Sequence, residues 1–295
     1  MGERGARRAP VRSAGDTFPA HRARYPGAML DNPRSPRVRA VAKLAKRKAR
    51  TETGLFLVEG PQAVVEALRH RPERVIDIFA TPAAIERHHD LTVAARAARM
   101  DVEEVSEMVL AVMADTVTPQ GVIAVFAQFS TPLEDLLAAG PRLVAVLEEV
   151  QDPGNAGTII RAADAAGADG VVLAGHSVDP YNPKVVRSTT GSLFHLPVVV
   201  GGELPEVLGA LRGAGLQVLA ADVKGGDLLE ARESGALAAP TAWLFGNEAR
   251  GLRDDLLELA DRALVVPIYG RAESMNLATA ASVCLYESAF AQRLD

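Results

Sequence analysis

Three short stretches in the second half of the chain combine glycine, asparagine, carboxylate and arginine in the manner of ligand-binding loops. The first runs Glu148-Glu149-Val150-Gln151-Asp152-Pro153-Gly154-Asn155-Ala156-Gly157-Thr158-Ile159-Ile160-Arg161 between an apolar strand and a helix. Its glycines and the N–H groups of a helix start are suited to a phosphate. It is not the dinucleotide fingerprint, because Gly154 and Gly157 lack a third glycine in register, and no Lys-Ser/Thr pair completes an ATPase-type phosphate loop. Arg161 is expected on the first turn of the helix, where a long donor reaches back over the strand ends. Taken singly, Asn155 reads as well as a turn residue and Arg161 as a surface arginine. The second stretch, Phe245-Gly246-Asn247-Glu248-Ala249-Arg250-Gly251-Leu252, opens a buried strand onto a glycine that lets a ligand approach the backbone. The third passes from Val266-Pro267-Ile268 to Ser274-Met275-Asn276-Leu277 at the head of an alanine-rich helix, with Ser274 the expected N-cap.

These loops need a scaffold that brings them together. Apolar runs at Leu143–Leu147, Gly170–Leu173, Val198–Val200, Gln217–Ala221, Trp243–Phe245 and Leu264–Val266 alternate with helical patterns at Thr158–Ala166, Val185–Thr190, Pro205–Arg212, Asp254–Leu259 and Asn276–Gln292. That alternation predicts a mostly parallel sheet covered on both faces. Ligands of such sheets sit beyond the carboxyl ends of the strands. Ahead of it lies a smaller α/β pattern. A basic helix from Pro36 leads to strands at Leu55–Val58, Val75–Phe79, Val102–Val105 and Val122–Ala127, with helices at Pro61–Leu68, Pro82–Arg99 and from Ser106 to Met113. The expected division is a disordered basic extension over 1–36, an α/β domain over 37–128, a linker over 129–141 and the larger domain over 142–295.

In order and spacing the three stretches closely resemble the signature motifs of the SpoU (TrmH-like) RNA ribose 2′-O-methyltransferases of the SPOUT superfamily, from about Val146 to Tyr286. Asn155, Gly157 and Arg161 carry the first motif, Gly246, Asn247, Glu248 and Gly251 the second, and Pro267, Ser274, Asn276 and Leu277 the third. Phe56-Leu57-Val58-Glu59-Gly60 and Pro119-Gln120-Gly121-Val122 resemble the substrate-binding domain that precedes many ribosomal-RNA members. The resemblance implies a parallel sheet with a trefoil knot, S-adenosylmethionine bound in the knot loops, and a homodimer. It implies catalytic roles for Asn155, Arg161, Glu248, Ser274 and Asn276. Gly246, Asn247, Ile268 and Leu277 would hold or shape the cofactor pocket. Methyl transfer needs the ribose hydroxyl in line with the sulfonium methyl at about 3–3.5 Å. A guanidinium is always protonated in proteins, so Arg161 is expected to clamp a phosphate and polarise the hydroxyl rather than act as base.

The 295 residues carry a net charge of −5, but residues 1–50 hold 14 basic side chains against Glu3, Asp16 and Asp31, a local charge of +11. A basic front on an acidic body fits an arm that meets a polyanion. The implied substrate is RNA, told from DNA by its 2′-hydroxyl, with Arg39, Lys43 and Arg47 as expected contacts and Lys184 and Arg187 as further ones from the family likeness. Ribosomal RNA, of the 23S class, is favoured by the extra domain. Transfer RNA, and a non-catalytic RNA-binding or assembly factor of the same fold, stand as alternatives. One cysteine, Cys284, excludes an internal disulfide and suits a cytoplasmic location. It lies in an apolar helix and reads as core. No apolar run is long enough to span a membrane. His88, His89, His176 and His195 lack metal-ligand spacing, so no metal is expected. Met29 is an alternative start to Met1.

Overall fold

A computed structural model of the chain describes residues 29–293. Most of the expected basic extension lies outside the described residues. The part that is described is tied down: Leu30 pairs with the chain beside Val105, donating to the Glu104 carbonyl at 2.9 Å. The expected basic helix is two, α1 (Pro36–Lys43) and α2 (Arg47–Thr53), with the Ser35 side chain capping the first. Then follow β1 (Leu55–Glu59), α3 (Pro61–His70), β2 (Val75–Ala80), α4 (Pro82–Arg87), α5 (His89–Ala97), β3 (Glu103–Glu104), α6 (Glu107–Met113) and β4 (Val122–Ala127). The pattern expected as one helix over Pro82–Arg99 breaks at His88, whose non-helical backbone redirects the chain so that Leu91, Ala94 and Ala95 of α5 enter the core. The four strands run in the order β1-β4-β2-β3. Alternation along β1 sends Phe56 and Val58 to one face and Leu55 and Leu57 to the other, and both faces are covered.

The second sheet has six parallel strands in the order β10-β8-β9-β5-β6-β7. After α7 (Leu133–Ala138) its elements are β5 (Leu143–Glu148), α8 (Pro153–Ala166), β6 (Gly170–Ala174), α9 (Pro183–Thr189), β7 (Val198–Val200), α10 (Leu204–Gly213), β8 (Gln217–Asp227), α11 (Leu228–Glu233), β9 (Thr241–Phe245), α12 (Asp254–Leu257), β10 (Arg262–Val265) and α13 (Leu277–Gln292). Every residue of β5, β6 and β9 is buried, which accounts for their unbroken apolar runs. From β5 the chain builds outward through β6 and β7 on one side; on the other side β9 lies next to β5, followed outward by β8 and β10. The strand order therefore reverses between β5 and β9, and the loops after these two strands flank the switch point where such sheets bind ligands. Helix α13 covers one face, and its buried Ser288 accepts a hydrogen bond from Trp243 Nε1 at 2.9 Å. Cys284 lies fully buried on α13, and burial pushes its thiol up to about 12. No helix among the described residues is long and apolar enough to cross a membrane.

The segment between the two expected domains packs on both and carries the helical turn that Leu133–Leu137 suggests, as α7. Phe129 donates its N–H to the Tyr181 hydroxyl at 3.0 Å, and Leu136 of α7 is buried. Phe56, Phe126, Phe129, Tyr181 and Phe194 form an aromatic cluster across the two sheets' domains, with ring centroids 4.7 to 6.3 Å apart. Such pairs contribute about 0.5–1.5 kcal/mol each beyond their burial. Arg50, in the basic front of the chain, is buried and bonds Asp179 at 2.7 and 2.9 Å across this interface. Removing one partner of such a pair strands the other charge, so Arg50→Ala is expected to lower unfolding free energy by about 3 kcal/mol. The exposed Lys48→Ala control is expected to change it by about 0.5 kcal/mol or less. Urea unfolding of both variants checks this.

Candidate active site

Helix α8 begins at Pro153, earlier than the expected Thr158. Asp152 is its N-cap, accepting from the Asn155 N–H at 2.8 Å, and Pro153 fills the first turn. The Asn155 N–H and, secondarily, Lys184 hold the Asp152 carboxyl below the usual aspartate range. Arg161 is consequently the ninth residue of the helix, on its exposed face, and not on the first turn. Gly157 sits where α8 crosses α9: a Cβ there would lie 2.5 Å from Ser188 Cβ and 2.7 Å from the Val185 carbonyl oxygen.

The start of α8 is not a phosphate cradle, because a carboxylate of the chain already occupies it. Glu248, from the loop after β9, accepts from the Asp152 N–H at 2.9 Å and the Gln151 N–H at 3.2 Å. Negative charge is favoured at a helix N-terminus. Asn155 Nδ2 donates to the same carboxylate at 3.3 Å, and Asn155 Oδ1 accepts from Asn276 Nδ2 at 2.9 Å. Asn276, not Ser274, caps α13: its Oδ1 accepts from the N–H groups of Ala278 and Thr279 at 2.9 and 3.2 Å. Ser274 lies two residues earlier, exposed, with no hydrogen bond to the described residues. Three loops, after β5, β9 and β10, thus meet in one run of hydrogen bonds from Asn276 through Asn155 to Glu248.

Asn247 shapes this cluster from within. Its Oδ1 accepts from Ala249 and Arg250 N–H groups, and its Nδ2 donates to the Glu149 carbonyl at 2.9 Å. Glu149 adopts φ +51°, strain that the surrounding contacts hold in place, among them Arg250 Nη2 to its carboxylate at 2.8 Å. Gly246 is glycine for the loop's own sake. Asn247 and Gly251 exchange backbone hydrogen bonds, and a Cβ on Gly246 would fall 2.6 Å from the Gly251 carbonyl carbon. Ile268 and Leu277 are half-buried, and Ala221, Val266 and Leu277, at or just past the ends of β8, β10 and the start of α13, each pack on the core.

Arg161 stands apart from the asparagine network. Its Nη1 donates to Thr190 Oγ1 at 3.2 Å, and Thr190 also lines the cleft between the domains with Glu59, Gly60, Gln120 and Arg187. Arg187 itself ion-pairs with Glu59 and Asp115 at 3.3 and 3.0 Å, which locks the two domains together, and Lys184 pairs with Asp152 at 3.5 Å. Arg39, Lys43 and Arg47 are exposed on α1 and at the start of α2. Sequence reasoning missed Asp152, although Asp-Pro before a helix was a readable cap signal. It also missed Glu148, which had no signal beyond its place at the end of β5.

Glu148 is buried, with Oε2 in no hydrogen bond among the described residues. Burial first, and the neighbouring Glu149 carboxylate second, raise its pKa above the ordinary 4.5. A raised carboxyl pKa means the folded chain holds its proton to higher pH than the unfolded chain. The group therefore costs nothing below about pH 4.5 and progressively more as pH rises through its folded value. Thermal melts of wild type and Glu148→Gln across pH are expected to diverge in the variant's favour with rising pH.

Residues 142–286 match the SpoU rRNA Methylase family model, and residues 35–124 match the MRM3-like substrate binding domain. The chain is 37% identical over 262 residues to the 23S rRNA (guanosine(2553)-2′-O)-methyltransferase RlmP of Bacillus subtilis, covering 87% of this chain and 97% of that protein. It is 32% identical over 258 residues to a 23S rRNA (uridine(2479)-2′-O)-methyltransferase of Streptomyces viridochromogenes, covering 84% of this chain and 86% of that one. Among solved structures, an AdoMet-bound rRNA methyltransferase from Sinorhizobium meliloti superimposes with a TM-score of 0.77 at 32% identity, over 91% of this chain and 99% of that chain. With the three loops meeting as their motifs require and both domains matched, the chain belongs to the SpoU rRNA methylase family.

Proposed function

We propose that this protein transfers a methyl group from S-adenosylmethionine to a ribose 2′-hydroxyl of 23S ribosomal RNA, working as a cytoplasmic homodimer with a trefoil knot in its second domain. The observation that carries the reading is the hydrogen-bonded run Asn276–Asn155–Glu248, which holds three loops together at the switch point of the parallel sheet. The relatives' named substrates support ribosomal over transfer RNA. The exposed Tyr286 and Phe290 on α13 offer an apolar face for a second copy. The intact set of Asn155, Arg161, Glu248, Ser274 and Asn276 favours catalysis over a purely binding role.

The residues fit the cofactor. Ala221, Val266 and Leu277 are apolar and half-buried, and the Ile268 main chain makes no hydrogen bond to the described residues. Such a surface suits an adenine ring and its hydrogen-bonding edge, with Gly246 and Leu277 supplying further backbone groups and Asn247 holding the loop in shape. When bound there, S-adenosylmethionine supplies an already activated methyl group. What the chain must add is position. Asn276 and Asn155 fix the loops, and the Glu248 carboxylate holds the start of α8 against them. Arg161, anchored lightly to Thr190, is free to swing toward an RNA phosphate and orient the ribose beside the loop cluster. Ser274, unengaged within the chain, is available to the RNA or cofactor. Arg39, Lys43 and Arg47 extend a positive surface for flanking phosphates, whose contribution falls with salt. Lys184 would join it on leaving Asp152, whereas Arg187 acts through the domain junction it locks.

Transfer of labelled methyl to 23S RNA lacking the modification, followed by ribose-methylation mapping, tests the reading. Incorporation at a single 2′-hydroxyl is expected. Arg161→Ala and Arg161→Lys are expected to lower turnover by about 10²-fold or more, the scale of losing a preorganised transition-state donor, with S-adenosylmethionine affinity little changed. Near-wild-type turnover in both would remove Arg161 from catalysis.

A further inference from the structure

We propose that Glu66, His70 and His195 form a site for a divalent transition-metal ion of the zinc class, joining the substrate-binding domain to the methyltransferase domain. Glu66 and His70 are one turn apart on α3, so their side chains share a face. His195 arrives from the other domain, between α9 and β7. Glu66 Oε2 lies 3.1 Å from His195 Nε2 and 3.4 Å from His70 Nε2. A tetrahedral zinc with bonds of about 2.0–2.1 Å has ligand–ligand edges of about 3.3–3.4 Å, so both separations are those of a shared coordination sphere. The ligand atoms of the three residues all fall within 4.8 Å of one another.

The surrounding groups prepare these atoms to bind a cation. Asp164 Oδ2 is 2.8 Å from His195 Nδ1, and a proton donated there leaves the Nε2 lone pair facing the Glu66 carboxylate. Two acceptors in that arrangement need a proton or a metal cation between them. A carboxylate behind a histidine is also the usual outer partner of a metal-bound imidazole. Arg69 Nη1 donates to Glu66 Oε1 at 2.9 Å, which leaves Oε2 toward the rings. Gly191, at φ +107°, makes room for the Glu66 stem: a Cβ there would lie 2.9 Å from Glu66 Cβ and Cγ. Two imidazole nitrogens with one carboxylate suit zinc, nickel or cobalt and not magnesium or calcium, which take oxygen. The His70 side chain is 48% exposed, so water can complete the sphere. The expectation of no metal weighed neither Glu66 nor His70, and 129 residues separate Glu66 from His195. The site does not depend on the methyl-transfer reading.

Calorimetric titration of Zn²⁺ into the tag-free, chelator-stripped full chain tests it. One Zn²⁺ per chain is expected, with a rise in melting temperature that Mg²⁺ does not give. Both effects should vanish in His70→Gln and His195→Gln, and Asp164→Asn should weaken affinity about 10- to 100-fold. Absence of saturable Zn²⁺ binding would overturn the proposal. Unchanged binding in His70→Gln, a change on the half-exposed side of α3, would overturn it as well.

Discussion

The Asn276 side chain accepts two N–H groups at the start of α13, so its oxygen is spoken for and its amide nitrogen has to donate. The recipient is Asn155 Oδ1, which in turn commits the Asn155 nitrogen to Glu248. Every amide in the run thus has one allowed orientation, ending on a carboxylate that holds the N–H groups of Gln151 and Asp152 at the head of α8. The links are exposed to solvent, so the run contributes direction to the loops more than stability: water can take the place of a lost partner but does not fix the loops in one arrangement. The loops after β5, β9 and β10 belong to distant parts of the sequence. This run is what makes them one surface.

A surface for an RNA and a small methyl donor also needs a fixed relation between the domain that would read RNA and the domain that does chemistry. Here the junction is built, not flexible. The aromatic cluster around Phe56, the buried Arg50–Asp179 pair and the Arg187 bridge to Glu59 and Asp115 all cross it. Displacement of even 1 Å between reacting groups is costly in a reaction whose catalysis is largely alignment. Thr190 connects the two requirements. It caps α9, which packs on β1 of the first domain, and its hydroxyl receives Arg161.

Much of this was legible in the sequence. Strands β4 and β7 fall on their expected residues, and the parallel sheet followed from alternation of apolar runs and helical patterns. The misreadings have physical causes. Gly154, Asn155 and Gly157 are poor helix formers, so the head of α8 read as loop; the Asp152 cap and Pro153 override that propensity. Strand β8 runs on to Asp227, beyond the expected Ala221, because β10 pairs with its far end after a register shift. Residue type alone could not distinguish Arg50 and Arg187 from the exposed arginines around them, since only tertiary contact supplies their carboxylates. For the same reason Ser274 and Asn276, two good capping residues two positions apart, were separated only by the observed hydrogen bonds.

The run implies that Asn155 and Asn276 act as one unit in holding the loops where S-adenosylmethionine is proposed to bind. A double-mutant cycle on S-adenosylmethionine affinity, measured calorimetrically for Asn155→Ala, Asn276→Ala and the double variant, addresses it directly. Residues in one hydrogen-bond network couple by about 0.5–3 kcal/mol. A coupling in that range is expected, with the double variant little worse than either single one. Strictly additive losses, or affinities unchanged in all three, would contradict it.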